Sequence, residues 1–207
     1  MKIIYISDFF IDEILGGAEL SDNVVIEYIR NQKVIVDKFT ANIVFVEKVK
    51  SQMFSPTQHT ADCYIISNFT LLSEINKNYF STSIENYIII ERDQKYVMSR
   101  NTGEYPNFIA PKSEVVNKEF YKNAKKVFCL TSKQAEIMNQ HLEIDNIQSL
   151  GCTQFSEKQL KVLDSNINSK SNGKYAIVQG KRQDKAIAHC ERENIEYEII
   201  NRMEHES

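Results

Sequence analysis

The sequence has no surplus of positive charge. Its 25 Lys and Arg residues face 28 Asp and Glu, a formal net charge of −3. A general electrostatic grip on nucleic acid needs a basic balance, and only a local patch stays open. Glycine and proline are scarce, at six and three residues, so collagen-like and low-complexity chains are excluded. The four cysteines, Cys63, Cys129, Cys152 and Cys190, are far apart and form no C-x-x-C pair. They read as reduced thiols of a cytoplasmic protein rather than as a disulfide framework or a zinc site. The histidines His59, His141, His189 and His205 share no metal-ligand spacing, and no metal is expected. No run approaches the roughly 18 apolar residues of a membrane span. The N-terminal MKIIYISD reaches Asp8 too soon for a signal peptide and reads as a first strand. There is no G-x-G-x-x-G fingerprint, no Walker A sequence, no internal repeat and no defensible Ser-His-Asp order.

What is present is an ordinary globular balance, 42% hydrophobic and 26% charged, which excludes a disordered chain. Apolar runs expected as strands lie at Lys2–Ser7, Val34–Phe39, Asp62–Ser67, Tyr87–Glu91, Lys126–Leu130 and Asn146–Leu150. Between them, helical periodicity is expected over Ala18–Asn31, with Leu20, Val24, Val25, Tyr28 and Ile29 on one face. It is also expected over Asn68–Phe80 with Asn68 as cap, Ser113–Ala124, Ser132–Leu142 with Ser132 as cap, and Ser156–Leu163. Several strands are apolar throughout, which indicates burial on both faces. The expected fold is α/β, a Rossmann-like, mostly parallel sheet with helices on both faces. It covers residues 1–163. A polar Ser- and Asn-rich linker is expected over 164–174, and 175–207 read as one β-α-β unit, the opening of an incomplete second domain.

Ligands of such sheets bind beyond the carboxyl ends of the strands. Candidate residues therefore lie in the segments after Ser7, Ser67, Glu91, Leu130 and Gly151. Gly16 and Gly17 sit at a loop-to-helix junction, where backbone can approach a ligand closely and free N–H groups can hold an anion. The plainer reading is a glycine turn that starts a helix. Arg92 stays protonated, so it can hold a phosphate but cannot act as a base; alternatively it is paired to a neighbouring carboxylate. Lys95 and Arg100, further into the same loop, read either as cations for a phosphate-bearing group or as solubilising surface charges. Gly180-Lys181-Arg182 with Lys185 reads as a second cationic turn.

Taken in order, GGAE (16–19), YIIIERDQKYVMSR (87–100), APKSEVVNKEFYKNAKKVFCLTS (110–132) and YAIVQGKRQDKA (175–186) resemble the GT-B glycosyltransferases. The likeness is to the retaining, nucleotide-sugar-dependent group, over its N-terminal domain and the start of its C-terminal domain. It implies transfer of a sugar from a nucleotide-diphosphate sugar, as co-substrate, to an acceptor hydroxyl, without a further cofactor. Gly16 and Gly17 would approach the donor phosphates or the acceptor, and Glu19 would fix the loop. Asp93 matches the family's Asp, and Arg92 stands where relatives often carry a His beside the reacting sugar, so these two would hold the catalytic positions; Asp93 and Arg100 would line the acceptor side, and Lys95 with Arg100 would bind donor phosphate or acceptor. Arg182 and Lys185 would neutralise the leaving diphosphate, with Lys185-Ala186 in place of the family's Lys-Gly. The spaced glutamates that hold the donor in relatives would fall after Ser207. The alternatives are a non-catalytic binding or scaffold module, or one half of a split enzyme completed by a partner chain or by self-association.

Overall fold

The structure is a computed structural model that describes residues 1–36, 39–42, 44–167, 173–179 and 183–200. Two compact units divide the chain, Met1–Phe155 and Ser156–Ser207. The division falls before the last expected helix of the first domain, so that helix groups with the later residues.

The first unit is an α/β Rossmann-like fold built on six parallel strands. These are β1 (Lys2–Ser7), β4 (Phe45–Lys50), β5 (Cys63–Ile66), β6 (Tyr87–Glu91), β7 (Lys126–Cys129) and β8 (Ile147–Ser149). Their spatial order is β4-β1-β5-β6-β7-β8, every pairing parallel. The intervening helices are α1 (Gly17–Arg30), α2 (Glu74–Ser83), α3 (Lys118–Lys122) and α4 (Ser132–Leu142). Both faces of the sheet are covered, as its unbroken apolar strands require. Ile26 of α1 packs with Ile3, Tyr5, Ile65 and Ile90 on one face. Phe80, Phe120, Tyr121, Met138 and Leu142 of α2, α3 and α4 pack with Ile4, Ile66, Tyr87 and Ile89 on the other. Aromatic rings link that second layer: Phe54–Phe80 at 4.9 Å, Phe80–Tyr87 at 5.4 Å and Tyr87–Phe120 at 5.5 Å between centroids.

The chain leaves β1 for β4 on one side, then returns to place β5 on the other. The topological switch point therefore lies at the carboxyl ends of β1 and β5, where sheets of this kind open a crevice. Asp8 organises that edge. It is 2% exposed and accepts the N–H groups of Thr70 (2.8 Å) and Leu71 (3.0 Å) and the hydroxyl of Ser51. One carboxylate thus ties together the loops after β1, β4 and β5. Asp8→Ala leaves two backbone donors and a hydroxyl unpaired, at an expected cost of about 2–4 kcal/mol. Urea unfolding measures this, and a cost below about 1 kcal/mol rules out the loop-tying role.

Three expected elements change. The run Val34–Phe39 is not a strand of the main sheet: β2 (Lys33–Val36) and β3 (Phe39–Asn42) form an antiparallel pair, with residues 37–38 outside the described ones. The outer neighbour of β1 is β4, an edge strand whose charges (FVEKVK) hide its character, as edge strands commonly do. The helix expected from Asn68 begins at Glu74, because Asp8 holds the amides of Thr70 and Leu71 while Phe69 and Leu72 enter the core. Ser73 is its cap, accepting the Asn76 N–H. The helix expected over Ser113–Ala124 shrinks to Lys118–Lys122, since Asn117 takes a left-handed conformation (φ 59°) and Val115 bridges to Val97. Helix α4 has its expected bounds, but its cap is Thr131 rather than Ser132.

In the second unit, α5 (Glu157–Asn166) begins with a capping box between Ser156 and Gln159. Strands β9 (Tyr175–Val178) and β10 (Tyr197–Ile200) pair in parallel, joined through α6 (Gln183–Arg192). The β-α-β pattern is as expected. Helix α5 runs three residues into the segment expected as linker, of which 168–172 lie outside the described residues.

Candidate functional site

The switch point carries a buried polar network centred on Asp22, in the second turn of α1. Asp22 is 1% exposed. Its carboxylate accepts from Tyr5 Oη (2.8 Å), Ser7 Oγ (3.2 Å), Ser67 Oγ (2.8 Å) and Arg92 Nη1 (2.5 Å). The donors come from the ends of β1, β5 and β6, so one helix side chain receives groups from three neighbouring strands. Arg92 also donates to Ser67 Oγ and, at 3.4 Å, to Gln154 Oε1. Its Nε is buried without a partner among the described residues. Ser21 Oγ meets Thr153 Oγ1 at 2.9 Å, so the segment after β8 is held against α1. Burial pushes the Tyr5 phenol well above its ordinary value, and the Asp22 carboxylate pushes it further.

Helix α1 presents its expected face only in part: Val25 and Ile29 pack against the core. Its buried residues are Glu19, Ser21, Asp22 and Ile26, while Tyr28 is exposed. The first half of the helix lies over the polar strand ends, not over the apolar core, and so buries polar side chains. At its head, Gly16 is the N-cap in extended conformation (φ −114°, ψ 163°). Glu19 folds back over it: a Cβ on Gly16 would lie 2.1 Å from Glu19 Oε2. Gly17 has nothing within 4 Å of its Cβ position, so its side of the helix start is open.

A second network lies at the end of β6. Glu91 is fully buried and accepts from Lys95 Nζ (3.1 Å), the Asp93 N–H (2.6 Å) and the Tyr121 hydroxyl. Burial is the main reason the Tyr121 phenol is held high, and Glu91 adds to it. Lys95 is therefore an internal cation, not the surface group expected. It is 5% exposed, and its ammonium stands 5.2 Å from the centre of the Phe69 ring. At the margin of this network the Asp93 carboxylate lies 3.8 Å from Lys95 Nζ and accepts from Arg100 Nη2 at 2.8 Å, the Asp93 and Arg100 side chains being about two-fifths exposed. Arg100 and Gln94 both adopt positive φ (54° and 59°). The loop they shape is pinned by Gln94 Oε1 accepting the Thr102 N–H (2.6 Å) and by His141 Nε2 accepting the Ala110 N–H (2.9 Å).

The residues proposed from sequence thus separate. Gly16, Gly17 and Glu19 come together at the head of α1. Arg92 is turned inward to Asp22, the paired reading of that residue. Asp93 and Arg100 form an exposed pair on the next loop. Lys185 is exposed on α6 of the second unit, and Arg182 lies outside the described residues. Asp22, Ser67 and Asp8 were not singled out from sequence. The readable sign of Asp22 is its spacing of three from Glu19, which puts two acids on one helical face. Burial raises the thiol pKa of Cys63 and Cys129, as suits packing residues. Among the described residues, no group of three or more His, Cys, Asp or Glu is placed to hold a metal ion. No helix among them is long and apolar enough to cross a membrane. No protein-family model matches the chain, and no curated protein or solved structure is significantly similar to it.

Proposed function

We propose that the chain takes part in sugar transfer from a nucleotide-diphosphate sugar to an acceptor hydroxyl, its first unit serving the acceptor side. The observation that carries this reading is the position of Gly16-Gly17-Ala18-Glu19. The tetrapeptide heads α1 at the switch point of a six-stranded parallel sheet, where a ligand crevice is expected. Asp93 and Arg100 add a polar pair on the same sheet edge. Arg182 and Lys185 are assigned to the donor diphosphate, whose charge grows as it leaves.

A second reading, a binding module or one half of a split enzyme, has its own support. Two of the three cations expected on the edge of the first unit are committed to internal carboxylates: the Arg92 and Lys95 side chains are 8% and 4% exposed. A partner chain or a second copy would then complete the site.

Calorimetric titration with a panel of nucleotides and nucleotide sugars tests the first reading. One donor is expected to bind selectively, with at least about tenfold loss, or 1.4 kcal/mol, in the Arg182→Ala, Lys185→Ala double variant. Transfer to an acceptor with that donor completes the case. Absence of binding to every donor removes the donor-using reading and leaves the second.

A further inference from the structure

We propose that Glu19 binds a neutral, polyhydroxylated ligand, a sugar offering adjacent hydroxyls, at the head of α1. The inference rests on the sugar-transfer reading and names the chemistry of its acceptor side. Glu19 is 8% exposed, yet it makes no hydrogen bond or ion pair with any described residue. Its oxygens are not among the sealed, unpartnered atoms, so they remain within reach of a ligand. Every other buried acid at this edge is saturated: Asp8 by three donors, Asp22 by four, Glu91 by three. A carboxylate can accept several hydrogen bonds, and a buried one ordinarily has them.

The charges around Glu19 are already matched. Its own charge faces the positive end of the fourteen-residue helix α1. One turn deeper on the same face, Asp22 is paired with Arg92. A phosphate placed there would meet the Glu19 carboxylate, and a cation would leave a positive excess. The site lacks hydrogen-bond donors, not charge. Hydroxyl groups supply donors without charge, and two adjacent ones can span the two oxygens of one carboxylate. The paired glycines divide the space: Gly16 yields its side-chain position to Glu19, and Gly17 leaves open room beside it.

The test uses the full chain and ligand-observed NMR with glucose, galactose, mannose and N-acetylglucosamine, with inorganic pyrophosphate as the anionic probe. At least one monosaccharide is expected to bind the wild type. Glu19→Gln, which keeps shape and loses charge, should weaken it at least tenfold. Gly16→Ala, which must push the carboxylate away, should do the same while circular dichroism stays native. Pyrophosphate should not displace the sugar. Three results overturn the proposal: no monosaccharide bound, binding unchanged in Glu19→Gln, or displacement of the sugar by pyrophosphate. The sugar-transfer reading fails separately, on the nucleotide panel. Monosaccharide binding without nucleotide binding keeps Glu19 and favours the binding-module reading.

Discussion

Asp22→Ala is expected to lower the unfolding free energy by about 3–5 kcal/mol, because it strands a buried guanidinium. At roughly 2–4 °C per kcal/mol for a chain of this size, the melting temperature should fall by roughly 6–20 °C. Arg92 is almost entirely enclosed and loses its only carboxylate partner among the described residues, while Tyr5, Ser7 and Ser67 lose an acceptor. The converse change should cost less. In Arg92→Met, the Asp22 carboxylate keeps three hydroxyl donors, and hydrogen bonds to a charge are worth about 1.5–3 kcal/mol each. Combining Asp22→Leu with Arg92→Met removes both charges together and should recover much of the loss, as apolar replacement of buried pairs often does. Urea unfolding of these variants decides the matter. A loss below about 1 kcal/mol in Asp22→Ala would show that the pair is not holding the edge together. If Arg92→Met leaves stability intact but abolishes nucleotide binding, Arg92 is a ligand-binding residue after all, as its place after β6 first indicated.

How far the sequence could be read depended on what each residue faces. Strands β1 and β6 match their apolar runs residue for residue, because both lie in the sheet interior, where nothing competes with hydrophobic periodicity. Helix α4 also has its expected span. Strand β4 escaped because an edge strand tolerates Glu47, Lys48 and Lys50, which a period-based reading takes for loop. Helix α2 starts late for a tertiary reason: the amides of Thr70 and Leu71 are claimed by Asp8, sixty residues earlier in the chain. No local pattern records that claim.

The site was legible in part for the same reason. The glycines at the head of α1 are visible from their neighbours alone. Asp22 was hidden, because helical periodicity looks for apolar stripes, and this stripe is polar where the helix overlies strand ends. The rule that ligands gather beyond carboxyl ends pointed to the segments after Ser7, Ser67 and Glu91, where the two buried polar networks lie. It could not tell which cations would turn inward. Lys95 and Arg100 are five residues apart on one loop that turns through positive φ at Gln94 and Arg100, and one reaches Glu91 inside while the other pairs with Asp93 at the surface.

Raising the pH above 10 is expected to unfold the protein steeply, since four tyrosines are buried as neutral phenols. Tyr5, Tyr87, Tyr96 and Tyr121 are each 0% exposed. Burial is the leading cause that lifts all four above the ordinary phenol value, and carboxylates add to it at each: Asp22 at Tyr5, Glu119 at Tyr87, and Glu91 at Tyr96 and Tyr121. The sign follows from proton counting. Below a pH of about 10 the phenol is protonated in both folded and unfolded chains, and its contribution is fully present. Above that, the unfolded chain releases the proton and the folded one keeps it, so stability falls as pH rises toward the folded pKa. Each tyrosine removes about 1.4 kcal/mol per pH unit, and four together about 5 kcal/mol. Against a typical total of about 5–15 kcal/mol, unfolding should come within roughly one to three pH units. Phenolate absorbance and far-ultraviolet circular dichroism, followed together, test this. Four of the ten tyrosines should ionise only as the fold is lost. Complete ionisation with native dichroism would refute it. Tyr121→Phe should lower the slope by one proton. Its hydroxyl donates to Glu91, so ionisation there would set two negative charges face to face inside the second core layer.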